Sequence, residues 1–237
     1  MHSGSRVSIV LPAYNEEAGI QAAVADFRSV SVVDEVVVVN NKSTDRTEAL
    51  AVEAGARVVR EFEKQGYGAA LTAGLRHAAG EIIILAEPDG TFIARDVLKL
   101  LAYADEFDMV CGTRTTPQLI RDGANMGFAL RWGNTLLAKL IEFVYGGPSL
   151  SDCGCTLRLI HRHAWQRMDP YITVTKSHFL PEMVILGLKL KIRMLEVPVN
   201  YRSRKGESKI TGTWKGTVVT AWRMFGLVVK YLWFRAR

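Results

Sequence analysis

Residues 81–92, EIIILAEPDGTF, constrain this chain more than any other stretch. Ile82, Ile83, Ile84 and Leu85 form an uninterrupted apolar run, the pattern of a strand buried on both faces. Strands of that kind belong to mainly parallel sheets covered by helices on each side. Glu87, Pro88, Asp89 and Gly90 follow directly. In an open α/β sheet, the crevice outside the carboxyl ends of the strands is where ligands bind. Two carboxylates two positions apart at such an end suit a magnesium-type ion, which takes one or two carboxylates and completes its shell with phosphate oxygens and water. The segment therefore points to chemistry on a nucleotide diphosphate, with Glu87 and Asp89 as metal ligands. Taken alone, it also reads as a solvated turn.

The rest of the chain repeats the strand–helix alternation. Apolar runs predict strands at 7–11, 35–39, 57–60, 81–86, 108–112 and 191–197. Between the first two, Ile20, Ala23, Val24 and Phe27 fall at i, i+3, i+4 and i+7 and predict a helix over 15–29. Asn15 reads as its N-cap, with Glu16 and Glu17 in the first turn. Further helices are expected at 44–53, stopped by Gly55, and at 68–78, 95–104, 126–145 and 180–188. Ser43 or Thr44 would cap the helix over 44–53. Such alternation implies an α/β fold with a mainly parallel central sheet. A nucleotide-binding half (1–112) and an acceptor-binding half (113–210) would share one domain over 1–210, followed by a separate C-terminal amphipathic helix in 211–237.

The chain has 237 residues, 49% hydrophobic and 23% charged, ordinary proportions for a globular protein. Its formal charge of +6 is uneven. Residues 198–237 carry nine basic side chains against one acid, Glu207, so the remainder is slightly acidic. The odd cysteine count, Cys111, Cys153 and Cys155, has no framework spacing and suits a reducing compartment. No signal peptide and no spanning run of about 18 apolar residues is expected.

The first strand ends in LPAYNEE (11–17) and the second in VVNNKSTDRT (38–47). Backbone N–H groups and polar side chains beyond Pro12 would face the crevice, and Asn40 can offer its amide to a nucleobase. Together with QGYGAALTAGLRHAAGEI (65–82) and EPDG (87–90), these segments resemble the family 2 glycosyltransferases of GT-A fold, a Rossmann-like nucleotide-diphospho-sugar transferase architecture. The second half resembles one subgroup, the polyprenyl-phosphate glycosyltransferases, through SDCGCTLR (151–158), a glutamate at Glu182, EVPVNYRSR (196–204) and GESKI (206–210). Three departures stand out. Asn40 and Asn41 replace aspartates usual there, and SDCGCTLR replaces the more typical SGFR. Glu87 replaces an aspartate, and its extra methylene moves a ligand oxygen by roughly 1 Å, which leaves Asp89 as the direct ligand if Glu87 acts through water.

The resemblance implies an inverting transfer from a nucleotide-sugar donor with Mg2+ or Mn2+ on its diphosphate. By position, Pro12, Tyr14, Glu16, Asn40 and Gly66 line the nucleotide-sugar pocket beside Glu87 and Asp89. Arg114 and Arg131 clamp an acceptor phosphate, and Arg204 and Lys209 sit near donor or acceptor phosphates. The catalytic set is then Asp89, Arg114, Arg131 and Asp152. A phosphate monoester is mostly doubly ionised at neutral pH, its second pKa being about 6, so it needs no general base. What it needs is relief of repulsion from an anionic donor, which bidentate guanidinium groups supply. In that reading Asp152 orients Arg131 or the acceptor loop. If the acceptor is instead a sugar hydroxyl of a surface glycan, a base is required and Asp152 is the candidate. A noncatalytic nucleotide-sugar-binding homologue is the third alternative, suggested by Asn40 and Glu87.

Residues 213–234, TWKGTVVTAWRMFGLVVKYLWF, pair basic residues with tryptophans, as an interfacial helix does. The alternative is a helix packed on the domain or on a partner. The expected partners are a nucleotide sugar, a polyprenyl phosphate and a membrane surface or membrane protein, with no nucleic acid. The expected place is the cytoplasmic face of a membrane. Cys153, Cys155, His161 and His163 do not have a standard zinc spacing. His77 and His178 read as surface or packing residues.

Overall fold

The computed structural model describes residues 4–121, 124, 128–203 and 214–234. The chain runs β1 (Val7–Ala13), α1 (Ile20–Arg28), β2 (Glu35–Asn40), α2 (Thr47–Glu53), β3 (Arg57–Arg60), α3 (Tyr67–His77) and β4 (Ile82–Leu85). It continues through α4 (Val97–Leu101), β5 (Met109–Thr113), α5 (Phe128–Tyr145), β6 (Arg158–His161), α6 (Arg162–Met168), α7 (Phe179–Lys189), β7 (Met194–Pro198) and α8 (Trp214–Tyr231). One sheet holds all seven of these strands in the order β3-β2-β1-β4-β6-β5-β7. Neighbours are parallel except at β6, which runs antiparallel to both β4 and β5.

The side-chain period of two sorts each central strand between two cores. From β1 and β4, Ile9, Leu11, Ile82 and Ile84 pack with α1, α2 and α4, while Val10, Ile83 and Leu85 pack with α3 and α5–α8. Burying an isoleucine fully contributes about 2 kcal/mol relative to exposing it, so β4 is a firm base for the carboxylates that follow it.

Several boundaries differ from expectation. Asn15 does not cap α1: it takes φ of 52°, and the helix begins after Gly19. Its side chain instead accepts the Thr44 N–H at 2.8 Å, while Ser43 Oγ accepts the Asn15 N–H at 3.1 Å. These bonds stitch the loops after β1 and β2 together. At the start of α2 it is Asp45, not Ser43 or Thr44, that accepts the Thr47 N–H. The last strand starts later than expected because Lys191, at φ of 54°, still belongs to the turn out of α7.

β6 and α6 are not among the elements the apolar patterns predict. Because β6 is antiparallel, its first residue, Arg158, pairs with Leu85 at the carboxyl end of β4. That register delivers the 151–157 loop to the same edge as Glu87 and Asp89. The C-terminal helix is also less separate than expected, since Leu227, Val228 and Tyr231 are buried in the domain core.

Candidate active site

A pocket of about 300 Å3 opens where β1, β2 and β4 end. Of the residues expected at a nucleotide site, Pro12, Tyr14, Glu16, Gly66 and Glu87 line it. Asn41, Gln65 and Tyr67 line it as well, and the sequence reading assigned them no role. Asn40 is placed differently. It is buried, its Nδ2 donates to Glu48 Oε2 at 2.6 Å, and its Oδ1 accepts the Ser43 N–H. Its neighbour Asn41 is the wall residue: its Nδ2 donates to the carbonyls of Glu61 and Lys64, and its Oδ1 accepts the Gly66 N–H at 2.7 Å. Gly66 has φ of 148°, and a Cβ there would come within 2.2 Å of the Thr175 carbonyl oxygen. Only glycine fits this corner of the wall.

Glu87 Oε1 accepts the Thr156 hydroxyl at 2.6 Å, and the Tyr67 hydroxyl lies 2.6 Å from Thr156 Oγ1 and 3.3 Å from Glu87 Oε1. Burial, reinforced by the negative charge of Asp89, pushes the Glu87 carboxyl up to about 7. Asp89 is 1% exposed, and its Oδ1 accepts both the N–H and the hydroxyl of Thr91. The half-buried carboxyl of Glu87 and the buried one of Asp89 repel each other beside an open pocket, and such a pair favours a cation between them. No group of three or more His, Cys, Asp or Glu residues with metal-binding geometry occurs among the described residues. A pair of carboxylates still fits an ion of magnesium type, which draws its other ligands from phosphate and water.

In the 151–157 loop, Asp152 is completely buried and grips Arg114 through two bonds, Nε at 2.8 Å and Nη2 at 3.0 Å. Burial works against the Arg114 charge, but Asp152 outweighs it and keeps the guanidinium protonated. The Arg114 charge in turn favours ionised Glu87, which puts the arginine on the reacting side. Of the two roles expected for Asp152, orienting Arg131 is corrected, because its carboxylate is bound to Arg114; within the acceptor loop it also accepts the Gly154 N–H at 3.1 Å. Arg131 lies on α5 one turn before Asn134 and is half-buried. A methyl placed on Gly154 would lie 3.5 Å from Arg114 Nη2 and 3.8 Å from Asn134 Oδ1, so the Asn134 face of α5 borders the same loop. Arg204 and Lys209 lie outside the described residues.

Two residues that hold this loop were only motif letters in the sequence. Glu196 accepts the N–H groups of Ser151 and Asp152 and the Ser151 hydroxyl, at 2.6 to 3.0 Å. Arg158, fully buried, donates to the carbonyls of Cys153, Cys155 and Leu180. The loop is thus fixed from both ends, which keeps Asp152 and Thr156 in place. His161 and His163 lie at the opposite end of β6, bonded to the Ala104 carbonyl and to Asp108.

Comparison with known proteins agrees with this architecture. The chain is 31% identical over 210 residues to a low-salt glycan biosynthesis hexosyltransferase of Haloferax volcanii, covering 86% of this chain and 49% of that protein; it thus spans about half the length of that relative. It is 29% identical over 205 residues to a dolichyl-phosphate hexose transferase of the same organism, covering 86% of each. Among solved structures, glucosyl-3-phosphoglycerate synthase from Mycobacterium tuberculosis, in complex with Mn2+, UDP-glucose and phosphoglyceric acid, superposes with a TM-score of 0.73 at 20% identity, over 97% of this chain and 80% of that one. The model of the family "Glycosyl transferase family 2" matches residues 8–168, and this chain belongs to that family.

Proposed function

We propose that the protein transfers a sugar, with inversion, from a nucleotide-sugar donor to a polyprenyl phosphate at a membrane surface. The observation that carries this reading is the Arg114–Asp152 pair, a fixed guanidinium whose charge acts on Glu87. Pro12, Tyr14, Glu16, Asn41 and Gly66 hold the nucleotide in the 300 Å3 pocket. Glu87 and Asp89 would hold Mg2+ or Mn2+, and the ion would supply charge neutralisation for the leaving diphosphate. The structural relative bound to Mn2+ and UDP-glucose, and the same synthase bound to Mg2+ and UDP, support such a site.

Arg114 and Arg131 draw the acceptor phosphate toward the donor and hold it in line for attack. Arg204 and Lys209 remain proposed phosphate contacts by position in the family motif. The dianionic acceptor is itself the nucleophile. A hydroxyl acceptor would need a base, and Asp152, buried and bonded to Arg114, is poorly placed to take a proton. That argues for the phosphate. The dolichyl-phosphate hexose transferase relative supports the same acceptor class.

Membrane contact rests on α8 and α5. Trp222, Phe225 and Trp233 of the C-terminal segment and Trp132, Leu136 and Phe143 of α5 are exposed, and residues 198–237 carry nine basic side chains against one acid. Among the described residues no helix is long and apolar enough to cross a membrane; the contact proposed is peripheral, on the cytoplasmic face, through these exposed aromatic side chains.

The test offers UDP-, GDP- and dTDP-sugars with manganese and either a polyprenyl phosphate or the matching polyprenol. We expect release of nucleoside diphosphate with the phosphate and none with the alcohol. Turnover with sugar hydroxyl acceptors but not with the lipid phosphate would reject the acceptor assignment. No transfer to any acceptor, with nucleotide binding intact, would favour a noncatalytic role.

A further inference from the structure

Glu182 is completely buried on the first turn of α7, outside the pocket, and the transfer reaction gives it no task. A carboxylate in that position is costly unless hydrogen bonds satisfy it. Its partners come from two elements far apart in sequence. Oε1 accepts the Thr173 hydroxyl at 2.5 Å and the Tyr231 hydroxyl of α8 at 2.8 Å. Oε2 accepts the Val174 N–H at 2.9 Å, and the Thr173 N–H is shared between both oxygens at 3.2 Å. Lys230 of α8 adds a bond to Thr173 Oγ1.

The strap so held, residues 173–175, leads directly to the donor pocket. The Thr175 carbonyl accepts the Ala69 N–H in the first turn of α3 at 3.1 Å. The same oxygen closes against Gly66, whose N–H is bound to Asn41. Gly66 and Asn41 are pocket wall. A continuous path of hydrogen bonds and close contacts thus runs from Tyr231 through Glu182, the strap and Thr175 to the wall.

We propose that Glu182 is a positioning residue for the donor site and that α8, through Tyr231, completes it. The helix whose outer face carries exposed Trp222 and Phe225 would then influence nucleotide affinity from behind the pocket. This rests on reading the 300 Å3 pocket as the nucleotide site.

The experiment measures binding of UDP, GDP and dTDP with manganese to the full chain by calorimetry, together with donor and acceptor KM. Tyr231→Phe removes one hydroxyl and leaves the packing. We expect it to weaken nucleotide binding roughly fivefold, the effect of one hydrogen bond of about 1 kcal/mol, and to raise donor KM with acceptor KM unchanged. Glu182→Gln, which puts an amide donor among N–H groups, should weaken binding further if it folds; Tyr231→Phe decides the matter if it does not. Tyr145→Phe is the control, because it removes the Tyr145 bond to the Val228 carbonyl of α8 without touching the strap, and nucleotide affinity should stay at the wild-type value. Equal weakening in Tyr145→Phe and Tyr231→Phe, or no weakening in Tyr231→Phe, overturns the proposal. A wild-type chain that binds none of the three nucleotides overturns the pocket reading itself, a separate failure that takes this inference with it.

Discussion

Arg114 and Asp152 are joined by two parallel hydrogen bonds of 2.8 and 3.0 Å, and Asp152 also accepts the backbone N–H groups of Arg114 and Gly154. Asp152 is fully buried and the Arg114 side chain is 14% exposed, so removing one partner leaves a largely desolvated charge. Asp152→Ala should therefore destabilise the fold by about 3–5 kcal/mol, measured by urea denaturation. Asp152→Asn keeps the shape and should cost less stability. Both should raise acceptor KM more than donor KM, because the arginine loses its orientation while the nucleotide pocket is untouched.

Asp89 is held by Thr91, whose N–H and hydroxyl both donate to its Oδ1. Asp89→Ala should abolish transfer. In calorimetry, nucleotide affinity in this variant should no longer change on adding manganese. Full activity in Asp89→Ala would refute the metal assignment.

Thr156 donates a 2.6 Å bond to Glu87 Oε1. Thr156→Val removes that donor at similar volume and leaves Glu87 with the longer Tyr67 contact. The carboxylate then ionises less readily, and manganese should bind roughly fivefold more weakly, about 1 kcal/mol. Manganese titration in the presence of nucleotide reads the change, with the melting temperature as a check on folding.

The parts of this architecture that could be read from sequence are those announced by local patterns. β4 was legible because four consecutive apolar residues admit few alternatives, and EPDG because it stands directly behind them. Arg158–His161 gave no such signal: four residues, polar at both ends, become β6 only because they slot between β4 and β5, partners distant along the chain. Asn40 and Asn41 look equivalent in the sequence, yet adjacent positions at a strand end face different ways. Asn40 turns toward Glu48 and Asn41 toward the pocket. Spacing alone pairs Asp152 with Arg131 or the acceptor loop, and only the packing of the 151–157 loop near β5 puts its carboxylate on Arg114. Glu182 and Glu196 stood in recognisable motifs, but their work is to hold backbone N–H groups, and spacing alone does not reveal such partners.

Acid sensitivity should centre on Asp108, at the start of β5. Bonds from Arg193, helped by its charge and by His163, hold the Asp108 carboxyl down at about 2, against an ordinary 3.8. A carboxyl depressed in the folded state contributes stability above its unfolded pKa and loses it as pH falls through the folded one. This contribution is therefore complete above about pH 4 and gone below about pH 2. Asp108→Asn should be less stable at neutral pH and show a flatter decline between those limits in acid denaturation. Parallel acid curves for the two proteins would exclude the linkage.

Membrane contact can be separated from folding because α8 and the residues after it divide their side chains. Leu227, Val228 and Tyr231 face the core, whereas Trp222, Phe225 and Trp233 are 70, 49 and 79% exposed. Deleting the segment would uncover the core and confuse the two roles. The triple variant Trp222→Ala, Phe225→Ala, Trp233→Ala removes only outward apolar surface, so its melting temperature should stay close to wild type. Sedimentation with vesicles containing anionic lipid should fall at least tenfold, since aromatic side chains anchor at the headgroup level and basic residues alone add only about 1 kcal/mol each. Transfer to a short, water-soluble prenyl phosphate should persist, because Arg114, Asp152 and the donor pocket are unchanged. Undiminished vesicle binding by this variant would remove α8 as the membrane contact and leave Trp132, Leu136 and Phe143 of α5 as the surface to alter next.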